Sequence, residues 1–196
     1  IQRHEDLCDF IENPSIVAIN GLSFWDWGPT VLFWDGVSNW QMNVLDEYIL
    51  DMRPGTQGSS EARLKGLRAE QQDWDSIRRG TARTIHAFMG IHGPSTKAHK
   101  FLTFYEKEPE EDKATGEYTR APMLQGGAKA FTPGAFDLII YTQRVGKGDS
   151  ITYEYVMNST KHRTKTRGYA FRDREPADMK VLWAEIQRQR ATTTPK

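Results

Sequence analysis

The stretch Thr30-Val31-Leu32-Phe33-Trp34-Asp35 is a run of β-branched and large apolar residues that ends on a carboxylate. A run without polar alternation predicts a strand that is covered on both faces, as in the sheet of an α/β protein. In open α/β sheets, ligands bind at the carboxyl ends of the strands. We therefore expect Asp35 at that edge, where an aspartate can hold hydrated Mg²⁺ beside a nucleotide phosphate. The alternative is that Asp35 is an ordinary turn or capping residue.

Length and composition favour one ordinary globular domain, because 196 residues are enough for a hydrophobic core. The 26 basic and 26 acidic side chains give a net charge of zero, so any contact with nucleic acid must come from local clusters. The single Cys8 excludes an internal disulfide. No apolar run approaches the ~20 residues that cross a bilayer, and there is no secretory signal pattern. We expect a cytoplasmic protein without a membrane partner.

The hydrophobic periodicity predicts four helices and four strands. The predicted helices are residues 2–12, 40–52, 61–88 and a last helix from Pro176. The predicted strands are residues 30–35, 99–105, 136–142 and 151–157. Strands separated by long helices early in the chain, with a hairpin late, predict an α/β fold. Its mainly parallel sheet is flanked by helices and carries an antiparallel hairpin at the C-terminal edge. We expect one domain over 1–190 and a frayed tail over 191–196.

Two polar segments are candidates for contacts with a ligand. Residues 106–120 contain six acids and three bases, which predicts a solvated surface loop. Residues 160–174 contain six bases and one acid, so this segment has a local surplus of positive charge. The basic segment could contact phosphates, and on its own it would also fit a simple nucleic-acid-binding module. A solvated basic turn is the alternative.

Nucleophilic and metal chemistry have little support in the sequence. There is no Gly-x-Ser-x-Gly motif, and Cys8 has only His4 near it, one helical turn away. The spacing of His86, His92 and His99 matches no compact zinc site. Phosphate chemistry is better supported, because Thr103 ends a second predicted strand as Asp35 ends the first. No Gly-x-x-x-x-Gly-Lys-Ser/Thr loop occurs in the chain.

From about residue 28 to 188 the chain resembles the RecA-like P-loop ATPases. It is most similar to the short phage-encoded members that are associated with single-strand annealing and recombination. The order and spacing of short motifs carry the resemblance. These motifs are Asp35 with Ser38, Gln72-Asp73-Trp74, Leu102-Thr103-Phe104, Glu106-Lys107, the loop 112–117, Pro122, Gly127, Lys129, Phe136-Asp137 and Lys165-Thr166-Arg167.

The resemblance implies a RecA-like fold with ATP and Mg²⁺ as cofactors. It gives Asp35 the metal-binding role of the Walker B aspartate and places Ser38 beside the nucleotide. It makes Thr103 the group that senses the γ-phosphate, with Tyr105 standing where the family often has a histidine. The same resemblance makes Glu106 a further catalytic candidate.

The resemblance also implies partners. Segment 106–129 would contact single-stranded DNA, through Lys107, Lys113, Arg120 and Lys129, although its net acidity leaves a plain solvated loop as the alternative. Lys165 and Arg167 would reach the nucleotide of a neighbouring subunit and stabilise its charge. This arrangement implies a homo-oligomer with nucleotide at the subunit interfaces.

The main departure from the family is the missing phosphate loop, which should precede residue 28 and is not found in residues 1–29. The start at Ile1 rather than Met favours an N-terminally incomplete chain. We expect an ATP-binding and ATP-hydrolysing RecA-like protein that acts on single-stranded DNA in phage recombination or annealing, in the host cytoplasm. It would be an ATPase if a phosphate loop lies upstream. The alternative is a non-catalytic structural or interaction protein, of a phage particle for example, on a degenerate ATPase fold.

Overall fold

A computed structural model of the chain describes residues 3–26, 28–45, 48–49, 71–92, 98–111, 116, 118–125, 128 and 132–193. Over these residues the protein is mixed α/β, with helices and small sheets. The chain divides into two compact units. The first unit contains residues 1–107 and 122–135, and the second contains residues 108–121 and 136–196. Compact units also occur within one domain, so a single domain over 1–190 stays a prediction.

The first unit contains three helices and the only parallel strand pair in the described part of the chain. Its elements are α1 (His4–Glu12), a 3₁₀ turn (Pro14–Ile16), β1 (Ala18–Ile19), β2 (Leu22–Ser23), β3 (Val31–Trp34), α2 (Val37–Trp40), a π-helical turn (Gln41–Leu45), α3 (Gln71–Gly90), β4 (His99–Leu102) and a second 3₁₀ turn (Thr132–Ala135). Strands β1 and β2 form a small antiparallel hairpin, and β3 pairs in parallel with β4.

The strand predicted around residues 30–35 is confirmed as β3, but the prediction that it is covered on both faces is wrong. Leu32 is 6% exposed, whereas Val31 and Phe33 are 49% and 60% exposed. Successive side chains of a strand point to opposite faces. Leu32 packs into a cluster with Phe24, Phe88, Ile91 and Ala98, and the opposite face is accessible.

The turn after Asp35 is tighter than the sequence predicts. The sequence favours a turn over residues 36–38 and a helix from residue 40. Instead Gly36 alone adopts the left-handed conformation, with φ of 71°, and α2 begins at Val37. Glycine adopts this conformation without the steric cost of a Cβ atom. Residues 46–47 and 50–52 of the predicted helix lie outside the described residues.

The long predicted helix 61–88 is confirmed over its described part, α3, which starts at Gln71 and ends at Gly90. Residues 61–70 lie outside the described residues. The helix is continuous through Gly80, where the sequence allows a bend. A Cβ atom on Gly80 would lie 3.4 Å from Cδ1 of Leu45. An added methyl group would thus be in ordinary van der Waals contact with Leu45, and Gly80 marks a point where the π-helical turn packs on α3.

The second unit is mainly antiparallel. Its elements are β5 (Glu110–Glu111), β6 (Tyr118–Thr119), β7 (Tyr141–Val145), a 3₁₀ turn (Gly148–Ser150), β8 (Thr152–Val156), β9 (Arg174–Pro176) and α4 (Met179–Thr193). The predicted hairpin is confirmed as β7 and β8, but the strand predicted over 136–142 begins only at Tyr141. Strand β9 is not predicted by the sequence, because it is short and ends on a proline, which sheets accept at an edge.

The last helix begins later and ends later than predicted. Its start is set by Asp178, whose carboxylate accepts backbone N–H bonds from Lys180 at 2.8 Å and Val181 at 3.4 Å. The helix runs to Thr193, through the first part of the predicted frayed tail. Residues 194–196 lie outside the described residues. No helix among the described residues combines the length and apolarity needed to cross a membrane.

Candidate functional site

Asp35 and Thr103, which the sequence places at the ends of two strands, are in direct contact. Strands β3 and β4 run in parallel and their last residues pair, so the residues that follow them meet at one edge. The Thr103 hydroxyl donates a hydrogen bond to the Asp35 carboxylate. The same hydroxyl accepts the N–H of Gly36 at 2.8 Å. We name this pair, Asp35 and Thr103, the strand-end site.

The backbone holds the strand-end site together as well. The N–H of Thr103 donates to the carbonyl of Trp34 at 3.1 Å, and the carbonyl of Thr103 accepts the N–H of Val37 at 3.0 Å. Thr103 therefore bonds to the residues on both sides of Asp35. The carboxylate itself is exposed and remains accessible to a ligand.

The donor set at this edge suits one kind of metal ion. No group of three or more His, Cys, Asp or Glu side chains that could hold a metal occurs among the residues that the structure describes. Zinc and calcium sites need several protein ligands. Hydrated Mg²⁺ is held by one or two carboxylates together with substrate phosphates. The exposed carboxylate of Asp35, with the Thr103 hydroxyl beside it, could therefore hold hydrated Mg²⁺ together with substrate phosphates.

Ser38, the other predicted nucleotide-binding residue, is fully buried in α2. Its hydroxyl accepts the N–H of Tyr105 at 3.0 Å. In this structure Ser38 anchors the segment that follows β4. The helix that contains Ser38 starts directly after the Gly36 turn, so Ser38 is close in sequence to the strand-end site.

A cleft of about 650 Å³ runs along β3, within the size range of small-molecule pockets. It is lined by all of residues 28–35, by Leu7 and Phe10 of α1, by Phe88 of α3 and by Phe24. Asp35 is the only charged residue among the lining residues that the structure describes. The polar side chains among these lining residues are Thr30 and Asp35, so the cleft is mainly apolar and reaches the strand-end site at Asp35.

The structure also contains a buried polar network that the sequence does not predict. Gln41, at the start of the π-helical turn, is hydrogen-bonded to Thr81 of α3 and to the backbone of Gln125. One member of the network leaves a signal in the sequence: Thr81 stands at a position where the helical pattern of α3 calls for an apolar residue. Nothing in the sequence links that position to Gln41 or Gln125.

Two of the four predicted DNA-binding residues, Lys107 and Arg120, lie among the described residues. Lys107 is half-buried in the first unit, and Arg120 is half-buried in the second. Arg120 pairs through its backbone with His162. Lys113 and Lys129 lie outside the described residues. Glu106, a catalytic candidate, is exposed and forms an isolated bridge with Pro122.

Lys165 and Arg167, the predicted charge stabilisers, have partners in their own unit. The ammonium group of Lys165 donates to the carbonyl of Phe136 at 2.6 Å. The guanidinium of Arg167 forms an ion pair with Asp137 at 3.1 Å. Both side chains of that ion pair are about two-thirds exposed, at 68% and 65%. To act on the nucleotide of another subunit, Arg167 would have to leave Asp137.

The pair Cys8 and His4 is not arranged for nucleophilic catalysis. Their Sγ and Nε2 atoms lie 3.5 Å apart. Burial raises the pKa of the Cys8 thiol, and the nearby carboxylates of α1 raise it further. Burial lowers the pKa of His4. Both shifts favour the neutral forms, so the thiolate and imidazolium of a catalytic pair are disfavoured.

No protein-family model, curated protein or solved structure matches the chain.

Proposed function

We propose that this chain is the core of a RecA-like ATPase that acts on single-stranded DNA in phage recombination or annealing. One observation carries the proposal: Asp35 and Thr103 end adjacent parallel strands and are hydrogen-bonded to each other. This is the arrangement that a metal-binding aspartate and a phosphate-sensing hydroxyl require at the ligand-binding edge of an α/β sheet.

In this proposal Asp35 binds the hydrated Mg²⁺ that accompanies ATP, and the bound ion neutralises charge on the phosphates. The Thr103 hydroxyl orients the Asp35 carboxylate and responds to the terminal phosphate. Ser38 fixes the α2 turn beneath them. Glu106 completes the catalytic set at the end of the segment that follows β4. The 196 residues contain no glycine-rich phosphate loop, so this element would have to come from outside them.

The remaining parts of the proposal concern partners. Lys107, Lys113, Arg120 and Lys129 would contact DNA phosphates. Lys165 and Arg167 would act on the nucleotide of a neighbouring subunit in a homo-oligomer. An arginine that reaches another subunit's nucleotide stabilises charge in the transition state.

A second candidate function is a non-catalytic structural or interaction protein on a degenerate ATPase fold, of a phage particle for example. The local partners of Lys165 and Arg167 favour this alternative, because both cations already have contacts within their own unit. In this alternative, the hydrogen bonds of Asp35 and Thr103 stabilise the turn after β3, and the two residues bind no ligand.

The test is Mg²⁺-dependent ATP hydrolysis by the full-length protein, measured with and without single-stranded DNA at several salt concentrations. The proposal predicts hydrolysis that requires Mg²⁺ and is stimulated by DNA. It also predicts DNA binding that weakens as salt increases, since phosphate contacts release counterions. A folded full-length protein that binds neither ATP nor DNA would reject the proposal in favour of the structural alternative.

A further inference from the structure

Arg120 is attached through its backbone to a basic loop of the second unit. Its N–H donates to the carbonyl of Lys161 at 2.8 Å, and its carbonyl accepts the N–H of Arg163 at 3.0 Å. These two bonds pair Arg120 in parallel with His162. The loop, residues 158–167, contains four lysines and arginines and no acidic residue. The fold therefore places Arg120 beside a concentration of positive charge that is distant from it in the sequence.

The ring of His162 is held in place by two contacts of different kinds. It stacks on the ring of Tyr141, at the start of β7, with the centroids 4.2 Å apart and the planes inclined by 28°. Its Nδ1 lies 2.9 Å from the hydroxyl of Ser159, which also accepts the N–H of Lys161 at 3.1 Å. The stack fixes the plane of the imidazole, and the hydroxyl fixes its rotation. A ring that is already ordered loses little conformational freedom when a ligand stacks on it.

A second ring lies on the strand that leads to Arg120. Tyr118 belongs to β6 and precedes Arg120 by two positions, so both side chains point to the same face of the chain. The side chain of Tyr118 is 58% exposed. Strand β5, which pairs with β6, carries Glu110 and Glu111. The positive charge is therefore concentrated at the Arg120 end of β6, where the basic loop joins it.

We name these five residues, Tyr118, Arg120, Lys161, His162 and Arg163, the basic-aromatic surface. Lys161 and Arg163 are exposed, and Arg120 and His162 are half-buried. Proteins that bind single-stranded nucleic acid combine cations, which follow the phosphates, with aromatic rings on which the bases stack. A duplex would engage the cations, but its bases are already stacked on one another. The presence of both kinds of group therefore favours a single strand.

We propose that the basic-aromatic surface binds single-stranded DNA, with phosphates on Arg120, Lys161 and Arg163 and with bases stacked on His162 and Tyr118. This inference rests on the proposed function for the identity of the partner. It goes beyond that function because it assigns a DNA-contacting role to Lys161, His162 and Arg163, which lie outside the segment 106–129. All five residues belong to the second unit, so the contact requires no nucleotide.

The test is a fluorescence anisotropy titration of labelled oligothymidylate with the full-length protein, in the absence of nucleotide. The oligomer has about 20 nucleotides, more than the roughly 4–16 that one binding module covers. Salt is varied between about 50 and 200 mM, a range over which phosphate contacts weaken strongly. A duplex of the same length is titrated in parallel, and basal ATP hydrolysis without DNA is measured for every variant.

The first variant combines Lys161→Ala with Arg163→Ala, which leaves the backbone bonds to Arg120 in place. The plot of log affinity against log salt should become less steep by about 0.7 for each phosphate contact that is lost. The control is Lys147→Ala, an exposed lysine in the turn at the far end of the β7–β8 hairpin from Tyr141. Its slope is expected to equal that of the wild type.

The second variant tests stacking. Tyr118→Ala should lower the affinity for the single strand about fivefold or more without changing the salt slope, whereas Tyr118→Phe keeps the ring and should stay within about twofold of wild type. The matched control is Tyr153→Ala. Tyr153 is 57% exposed and pairs in register with Arg144, so it is also a ring beside an arginine. Its removal should change the affinity by less than about twofold.

The outcomes separate this inference from the proposed function. Effects of Lys161→Ala with Arg163→Ala and of Tyr118→Ala no larger than those of their controls, or duplex binding as tight as single-strand binding, would overturn the basic-aromatic surface alone. A folded wild type that binds no single-stranded DNA would overturn both this inference and the DNA-binding part of the proposed function. The expected losses in a wild type that does not hydrolyse ATP would support the surface and overturn the ATPase.

Discussion

In the first compact unit, Asp35 and Thr103 follow two parallel strands and bond to each other, whereas in the second unit Lys165 and Arg167 bond to residues 136 and 137. The two pairs differ in where they lie relative to the strands. Parallel strands end at the same edge, so the polar residues that follow them meet. Lys165 and Arg167 lie in the connection between β8 and β9, and their partners lie in the segment that precedes β7. The first arrangement places a carboxylate and a hydroxyl together at one sheet edge, and the second gives Lys165 a carbonyl partner and Arg167 a carboxylate partner within their own unit.

The largest expected effect comes from Asp35→Asn, which keeps the shape of the side chain and removes its charge. If the strand-end site binds Mg²⁺ with ATP, turnover by the full-length protein falls on the order of 100-fold or more, as when a key electrostatic group is removed from an active site. Steady-state ATP hydrolysis measures the change. The control is Asp26→Asn, since Asp26 is another exposed aspartate that accepts a hydroxyl hydrogen bond. Equal turnover in Asp35→Asn and Asp26→Asn would show that Asp35 has no role in ATP hydrolysis.

The next effect is on stability. Thr103→Val removes the hydroxyl that bonds to Asp35 and Gly36. Leaving the N–H of Gly36 without its partner is expected to lower the free energy of unfolding by about 1–3 kcal/mol. Urea unfolding measures this change in the free energy of unfolding. Thr142→Val, at an exposed position of β7, is the matched control and is expected to change stability by less than about 0.5 kcal/mol. A loss in Thr103→Val no larger than in the control would contradict the account.

A smaller effect is expected for the ion pair in the second unit. Arg167→Ala should change the free energy of unfolding by no more than about 0.5 kcal/mol, because exposed ion pairs contribute little. The same urea unfolding experiment applies. A loss above about 1 kcal/mol would make Arg167 a structural residue of the second unit and would remove it from the catalytic candidates.

The smallest effect concerns Glu185 on α4. Hydrogen bonds from Arg188 and Gln189 lower the pKa of Glu185 to about 2, from its usual 4.5. A carboxylate with a depressed pKa stabilises the folded state above its unfolded pKa and loses this contribution as pH falls through the folded pKa. Wild type should therefore melt slightly higher than Glu185→Gln at pH 7. The difference in melting temperature should shrink between about pH 4.5 and pH 2. A difference that stays constant over this range would contradict the lowered pKa of Glu185.

Local patterns in the sequence place Asp35 and Thr103 at the ends of two predicted strands, but they do not predict that the two side chains bond to each other. The apolar runs before Asp35 and Thr103 identify both strands, and parallel pairing follows from the long helix between them. The same run before Asp35 predicts the wrong burial for Phe33, because residue type does not reveal how many strands or layers cover a sheet. Residues 136–140 have the apolar character of a strand, but Leu138 and Ile140 pack on the Met157 cluster before β7 begins.

The contact between Gln41 and Gln125 could not be predicted, for a different reason. The two residues are 84 positions apart, and neither carries a pattern that selects the other as a partner. A side-chain amide that pairs with backbone groups leaves no periodic signal in the sequence. Only the fold brings these residues together.

The central claim is that Asp35 and Thr103 act as one site for Mg²⁺ and ATP, and a double-mutant cycle tests it most directly. Affinity for Mg²⁺·ATP is measured by equilibrium titration of the full-length wild type, Asp35→Asn, Thr103→Val and the double variant. If the Thr103 hydroxyl acts through the Asp35 carboxylate, the double variant binds as Asp35→Asn does, within about twofold. Losses that multiply in the double variant, or a wild type without Mg²⁺-dependent ATP binding, would contradict the account.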